Sequence, residues 1–292
     1  MRVLVIGGTG MLGHKLIQVL SGQFDVWTTI RCKYSRIEHF GIFKSDRVLD
    51  EVDVTDIETV RQAIFALNPD VVINAAGVVK QVTESADPTL MINVNSIFPQ
   101  RLAELSMEFG FRLITISTDC VFSGERGNYT ESEVPDARDL YGLSKLLGEV
   151  KYDNCLTIRT SIIGRELTDS HGLVEWFLSN RGMATEGYAN AIYSGFPTVI
   201  LAEIVSKIIN EYPKLHGVHH ISSDPITKFE LLGLLNKYYD AAVRIEPSAV
   251  PVIDRSLNSS AFRKSAGFSP PTWDEMVKKM ASDPTPYDKW KE

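Results

Sequence analysis

Tyr141 and Lys145 stand four positions apart in a stretch with helical leucine spacing, so their side chains share one helix face. A phenol, whose ordinary pKa is about 10, carries protons poorly at neutral pH, but an adjacent ammonium favours the phenolate and lowers that value. The pair is a candidate general acid. The same spacing recurs at Tyr287 and Lys291, and with ten tyrosines in the chain about half a match is expected by chance. The first copy is set apart by Ser117-Thr118-Asp119, which closes the apolar run Leu113 to Ile116 and offers the Thr118 hydroxyl to a substrate oxygen.

A second constellation sits at the start of the chain. Gly7-Gly8-Thr9-Gly10-Met11-Leu12-Gly13 directly follows a short apolar run and opens a helical pattern. Glycines there permit a tight turn and a close backbone approach to a pyrophosphate, while Gly10, Met11, Leu12 and Gly13 lie where a helix N-terminus presents unpaired N–H groups. A turn kept only for helix and strand packing is the bland alternative; the strand before and the helix after favour a dinucleotide. About twenty residues on, where an NAD site carries an acid, the chain reads Thr28-Thr29-Ile30-Arg31-Cys32-Lys33. Arg31 suits a 2′-phosphate, which favours NADP(H), with NAD(H) the alternative. Asp53 and Val54 are placed to touch the adenine, and Ala75, Ala76 and Gly77 are small enough to let the backbone approach the cofactor.

The elements that position these residues follow from hydrophobic periodicity. Strands are expected at Arg2 to Ile6, Asp25 to Ile30, Leu49 to Val54, Val71 to Asn74, Leu113 to Ser117 and Cys155 to Arg159. Helical spacing fills Met11 to Leu20, Ile57 to Leu67, Asn95 to Phe109 and Leu140 to Val150. This alternation predicts an α/β class chain, a Rossmann doubly wound parallel sheet with its ligand crevice at the strand carboxyl ends. At roughly 150 residues per domain, 292 residues make about two. Residues 1–160 are expected to form the NAD(P)-binding domain, with a return near 197–222, and 161–292 mainly a smaller C-terminal substrate-binding lobe. Asp283 to Glu292, with Pro284, Pro286 and several charges, reads as a tail.

Composition narrows the function classes. With 44% hydrophobic and 23% charged residues the chain is globular, and a net charge of −7 with dispersed basic residues gives no nucleic-acid footprint. Cys32, Cys120 and Cys155 form neither a disulfide framework nor a CxxC site. Val3 to Ile6 is too short for a secretory segment and no apolar run is long enough to span a bilayer, so a cytoplasmic protein without membrane partners is expected. His216, His219 and His220 lack a carboxylate or cysteine at ligand spacing, which favours a strand flank with one exposed and one buried histidine over a metal site. No GxSxG elbow is present. Cys120 reads as a small packed thiol, and Trp176, Tyr188 and Tyr193 as either base-stacking or core aromatics.

Together the glycine loop, Asp53-Val54-Thr55-Asp56, Asn74-Ala75-Ala76, Asn95, Ser117-Thr118-Asp119 with Val121-Phe122, Tyr141 to Lys145 with Gly148-Glu149, Arg159-Thr160-Ser161 and Pro197-Thr198 resemble the extended short-chain dehydrogenase/reductases. Within them they are similar to the dTDP-4-dehydrorhamnose reductase (RmlD-like) branch. The resemblance implies Tyr141 as proton donor, Lys145 holding the nicotinamide ribose and tuning Tyr141, and Thr118 orienting a sugar carbonyl. It implies an NADPH-dependent reductase of a 4-keto-6-deoxy nucleotide sugar serving deoxysugar and surface polysaccharide synthesis, as monomer or homodimer. Alternatives are an epimerase or dehydratase with tightly held NAD, and a non-catalytic dinucleotide-binding regulatory subunit. The branch typically has tyrosine and tryptophan at the sugar where this chain has Cys120 and Ile162, which join Thr118 and Asp119 as expected substrate-binding residues. A sugar on UDP, dTDP or GDP fits equally. Val78 to Asp87 matches the branch's metal-associated acidic segment poorly, so no metal is expected.

Overall fold

The computed structural model describes residues 1–79, 87–168 and 171–291. The chain begins β1 (Arg2–Ile6), α1 (Gly13–Leu20), β2 (Asp25–Thr29), β3 (Val48–Leu49), α2 (Ile57–Leu67), β4 (Val71–Asn74), α3 (Pro88–Ile92), α4 (Phe98–Phe109) and β5 (Arg112–Thr118). It continues through α5 (Leu140–Leu147), β6 (Cys155–Thr160), β7 (Ile162–Ile163), α6 (Leu173–Ser179), β8 (Ala184–Tyr188), β9 (Ala191–Tyr193), β10 (Phe196–Pro197) and α7 (Thr198–Glu211). It ends with β11 (Gly217–His220), β12 (Ile226–Thr227), α8 (Lys228–Tyr239), β13 (Arg244–Ser248), β14 (Ile253–Asp254), α9 (Ser260–Ala266) and α10 (Trp273–Ala281).

Seven strands form one sheet in the order β11-β6-β5-β4-β1-β2-β3, and the pairings from β5 through β4, β1 and β2 to β3 are parallel. This is the Rossmann-like α/β arrangement. All four residues of β4 and all six of β6 are buried, as in parallel strands covered on both faces; β4 is apolar up to Asn74, while β6 also buries Thr157, Arg159 and Thr160. Against one face pack Val60, Ala63, Ile64 and Leu67 of α2 and Phe98, Leu102, Ala103 and Leu105 of α4, with Leu4, Ile6, Val72 and Leu113 from the strands. Each Val, Leu, Ile or Phe side chain among them contributes about 1.5–3 kcal/mol on burial. Asp56 caps α2 by accepting from Glu58 N, and Asn68, at φ 47°, ends it. Between α3 and α4 the chain keeps turning as a π-helix over Asn93–Ile97, so 88–109 is one rod with a widened turn in its middle. The strand expected at Leu49 to Val54 shrinks to Val48–Leu49, since Glu51 adopts φ 57° and turns the chain.

Two compact units divide the chain. The first holds Met1–Ser117, Asp139–Ile158 and Ala202–Val218. The second holds Thr118–Arg138, Arg159–Leu201 and His219–Glu292. Within the second, β9 is paired on one edge by antiparallel β12 and on the other by parallel β14, while β13 runs parallel to β8 and β10 to β7. Capping boxes open two helices there, Thr227 with Glu230 for α8 and Thr272 with Glu275 for α10. The segment expected as a tail is instead built into this unit. Tyr287 is buried, Arg165 lies over its ring, and Lys291 Nζ pairs with the buried Glu175 at 2.8 Å. The two prolines stop a helix there, but the Tyr287 ring and the Lys291 charge each find a buried partner, which holds the segment in place.

Candidate functional site

In the first unit the loop after β1 is fixed by its glycines. Gly7 has φ 87°, and a Cβ on it would lie 2.9 Å from Ala76 N. One on Gly13 would lie 2.1 Å from Gly7 O, so the loop closes on itself only without side chains at both positions. Gly10 differs: an added Cβ would make only an ordinary van der Waals contact, with Gly7 O at 3.4 Å, so this position tolerates a side chain. Met11 and Leu12 lead into α1, whose first turn has no acidic residue and whose N-cap, Leu12, gives no side-chain hydrogen bond. His14 N donates to Gly10 O at 3.2 Å and Leu16 N to Leu12 O at 2.9 Å, and the positive end of the helix ahead of these bonds suits an anion. His14 Nδ1 donates to Gly10 O at 2.8 Å and braces the loop from behind.

The residues expected around an adenosine come together in part. Arg31 is exposed, and its charge is felt by Asp53. Asp53 accepts from Thr55 N at 2.9 Å and Thr55 Oγ1 at 2.7 Å, and the Thr55 bonds, with a smaller contribution from Arg31, hold its carboxyl below the usual range. Val54 packs partly against the core. Ala75 N donates to Ile6 O, and Asn74 Oδ1 accepts from Ala76 N, so Ala75, Ala76 and Gly77 continue from β4 directly beside the glycine loop.

Asn95 sits in the π-turn of the rod and joins three segments. Its Oδ1 accepts from Val78 N at 2.9 Å, while its Nδ2 donates to Val78 O at 3.0 Å and to Ser144 Oγ at 3.2 Å. Ser96 Oγ donates to Ser144 O, and a Cβ on Gly148 would strike Asn95 O at 1.9 Å, so rod and α5 touch backbone to backbone. Asp139 caps α5 by accepting from Gly142 N. This places the half-buried Tyr141 in its first turn and Lys145 one turn later. Lys145 Nζ donates to Ile116 O of β5 at 2.7 Å and lies 3.9 Å from where a Gly77 Cβ would stand. Burial lowers the Lys145 pKa to about 8, against the opposing pull of Glu149. The ammonium is still about nine-tenths protonated at pH 7. Glu149 is buried and accepts from Ser117 Oγ at 2.8 Å. A desolvated cation thus stands on the helix that carries the phenol, which is the electrostatic arrangement that eases proton release from a tyrosine.

In the second unit Thr118 ends β5 with its side chain buried. Its Oγ1 accepts from Cys120 N at 3.1 Å and donates to Asp119 Oδ1 at 3.2 Å. Asp119 is buried, and desolvation raises its pKa against the charges of Arg255 and Lys228. Cys120 is pushed up to about 12 by burial and by Asp119, so it is a thiol. Ile162 stands in β7 opposite Phe196. Lys228 and Arg255 went unsingled in the sequence; the signal for the first was the capping box Thr227-Lys228-Phe229-Glu230. Tyr193 is buried, whereas Trp176 and Tyr188 are exposed. His220 is buried, donating from Nδ1 to Tyr129 O and accepting at Nε2 from Arg159, and His216 is exposed. Among the described residues no group of His, Cys, Asp and Glu is placed to hold a metal, and no helix is long and apolar enough to cross a membrane. Residues 80–86, most of the segment Val78 to Asp87 weighed for a metal, lie outside the described residues.

A glycine loop opening on an uncapped helix, at the carboxyl end of the first strand of a parallel sheet, defines a Rossmann-type α/β protein. The family model described as RmlD substrate binding domain matches residues 1–285, and the chain belongs to that family. A dTDP-4-dehydrorhamnose reductase of Aggregatibacter actinomycetemcomitans is 27% identical over 264 residues, 85% of this chain and 79% of that protein. A methionine adenosyltransferase 2 subunit beta of Danio rerio is 36% identical over 154 residues, 51% of this chain and 42% of that one. The solved structure of a Bacillus anthracis dTDP-4-dehydrorhamnose reductase in complex with NADP shares the fold at TM-score 0.77 and 22% identity, over 96% of this chain and 98% of that one.

Proposed function

We propose that this chain is an NADP(H)-dependent reductase of a keto group on a nucleotide-activated deoxysugar. The observation that carries the reading is Lys145, a desolvated ammonium bonded to Ile116 O, close to Gly77 and on the helix that bears Tyr141. A dinucleotide fits the residues present: the glycine loop keeps its backbone bare, the first turn of α1 has no side-chain cap and no acid, and Arg31 is an exposed cation where an NAD site carries a carboxylate. The loop Gly7 to Gly13 would hold the pyrophosphate, Arg31 the 2′-phosphate, Asp53 and Val54 the adenine side, and Ala75 to Gly77 with Lys145 the nicotinamide ribose. When bound, the reduced cofactor supplies hydride.

The chain's own residues handle the proton and the alignment. Tyr141 gives its hydroxyl proton to the carbonyl oxygen, and Lys145 stabilises the phenolate left behind. Thr118 orients the sugar carbonyl, its single hydroxyl proton turning from Asp119 Oδ1 to the substrate. Cys120 and Ile162 line the sugar without charge. Residues 1–160, with the return near 197–222, serve the cofactor, and the later residues mainly the sugar nucleotide.

Incubating the protein with NADPH and a panel of 4-keto-6-deoxy nucleotide sugars, while following the reduced nicotinamide band, tests this. Oxidation is expected with one member, and Tyr141→Phe is expected to keep NADPH binding and lose at least a hundredfold in turnover. A second reading, a non-catalytic dinucleotide-binding subunit of a larger enzyme, is favoured by the similarity of half the chain to a methionine adenosyltransferase 2 subunit beta. NADPH binding with no turnover of any panel member would select it.

A further inference from the structure

Within the second unit a cluster of hydrogen-bond donors surrounds Asp119, and its members Tyr193, Lys228 and Arg255 have no part in the chemistry above. The three-stranded sheet explains how they meet. Tyr193 and Ile192 of β9 pair with Ile226 and Thr227 of β12, and Ile192 pairs with Asp254 of β14 on the other edge. The chain leaves β12 into Lys228 and β14 into Arg255, so one cation flanks each edge of the strand that carries Tyr193. Arg255 Nε donates to Phe122 O at 2.9 Å, and its stem lies 2.9 Å from where a Gly124 Cβ would stand. Both contacts tie Arg255 to the turn that begins at Asp119. The Asp119 charge in turn acts on Tyr193, Lys228 and Cys120.

The hydrogen-bond inventory of this cluster is one-sided. Among the described residues none accepts a hydrogen bond from Lys228 Nζ, although burial pulls the ammonium's pKa down. The Tyr193 hydroxyl is fully buried with no partner; Ser161 lies beside it without a well-aligned bond. Native proteins rarely leave a fully buried hydroxyl such as that of Tyr193 unmatched, and Lys228, half-buried, directly follows the strand that pairs with the one carrying Tyr193. The unfilled positions are donors, and two cations face one carboxylate. A neutral sugar hydroxyl would match one donor and leave the positive charge in excess, whereas an oxyanion matches both the donors and the charge. Cys120, protonated, and Ile162, aliphatic, add no competing charge.

We propose that Lys228, Tyr193 and Arg255 form an oxyanion subsite for a charged oxygen group of the substrate, either a carboxylate on the sugar or a phosphoryl oxygen of the diphosphate. The subsite rests on the nucleotide-sugar reading given above. Calorimetric titration of the full chain, saturated with NADPH, with UDP-glucuronate, UDP-glucose, dTDP-glucose and UDP tests it in wild type, Lys228→Met and Tyr193→Phe. Tyr193→Phe removes a single atom, and unchanged NADPH affinity reports that each variant is folded. If the carboxylate is the ligand, UDP-glucuronate binds at least threefold tighter than UDP-glucose and Lys228→Met abolishes the difference. If the phosphoryl group is the ligand, Lys228→Met weakens all the nucleotides that bind by threefold or more alike. Affinities that stay within threefold of wild type in both variants overturn the subsite and leave the reductase reading standing. Wild-type protein that binds NADPH but none of the four compounds overturns the nucleotide-sugar reading and the subsite together.

Discussion

Replacing Lys145 by Met should make the protein more stable at neutral pH while ending turnover. Burial takes the ammonium from 10.5 to about 8. At about 1.4 kcal/mol per pKa unit, the folded state carries a protonation cost of about 3 kcal/mol. The sign follows from linkage: the folded pKa is depressed, so between about 8 and 10.5 the unfolded chain binds more protons and stability rises with pH. The cost is therefore present in full below about 8 and is relieved as pH climbs through 10.5. Methionine keeps most of the volume and removes the charge. It also loses the bond to Ile116 O, which returns about 1.5–3 kcal/mol for a charged hydrogen bond, the attraction of Glu149 being already contained in the net shift. The net gain at pH 7 is about 0–1.5 kcal/mol, or up to about 5 °C in Tm for a chain of this size. Scanning calorimetry of both proteins at pH 7 and pH 10 reads this directly, with the difference shifting by about 2 kcal/mol against the variant at the higher pH. A Lys145→Met protein that melts more than about 4 °C below wild type at pH 7, or a difference independent of pH, would refute the desolvation argument.

Other perturbations separate the structural from the binding roles. Gly13→Ala should cost about 1–3 kcal/mol in urea unfolding, because its Cβ meets Gly7 O at 2.1 Å. Gly10→Ala should stay within about 0.5 kcal/mol of wild type in the same assay yet weaken NADPH in a fluorescence titration, because its Cβ makes only an ordinary contact, 3.4 Å from Gly7 O, in the loop where the pyrophosphate is expected. Arg31→Ala should reduce NADPH affinity by about tenfold and leave NADH within twofold, so equal losses for both cofactors would remove Arg31 from the 2′-phosphate. Cys120, with its pKa near 12, should carry only about one thiolate in ten thousand at pH 8; alkylation by iodoacetamide, followed by mass spectrometry, should be far slower there than for a free thiol, and matching rates would place Cys120 outside its buried setting.

What the sequence could reveal depended on how local the cause was. Strands expected at Arg2 to Ile6 and Val71 to Asn74 match β1 and β4 residue for residue, and those at Asp25, Leu113 and Cys155 match β2, β5 and β6 within a residue or two. Burial enriches such strands in apolar and β-branched residues, and that signal needs no partner to be seen. The helix expected from Asn95 begins instead at Pro88, and the π-turn at Asn93–Ile97 had no local signature. Its reason is tertiary: Asn95 must reach Val78 and Ser144, the latter 49 positions away. The glycine loop and the helix of Tyr141 and Lys145 were legible because each is one short segment whose spacing is its geometry.

The second unit was harder for the same physical reason. Its helices α8 and α10 follow capping boxes, Thr227 with Glu230 and Thr272 with Glu275, which are local marks that loop-like composition around Ser222 to Thr227 obscured. The environment of Asp119 had no mark at all. Arg255 reaches Phe122 across 133 positions, and Lys228 meets Asp119 because two short strands flank β9. Parts of a site made by one turn or one helix can be read from spacing, whereas parts made by strand pairing appear only once the chain is folded. On the reductase reading proposed above, residues that would tell one sugar nucleotide from another belong to the second kind, and the next substitutions to make are therefore at Lys228 and Tyr193, not in the motifs.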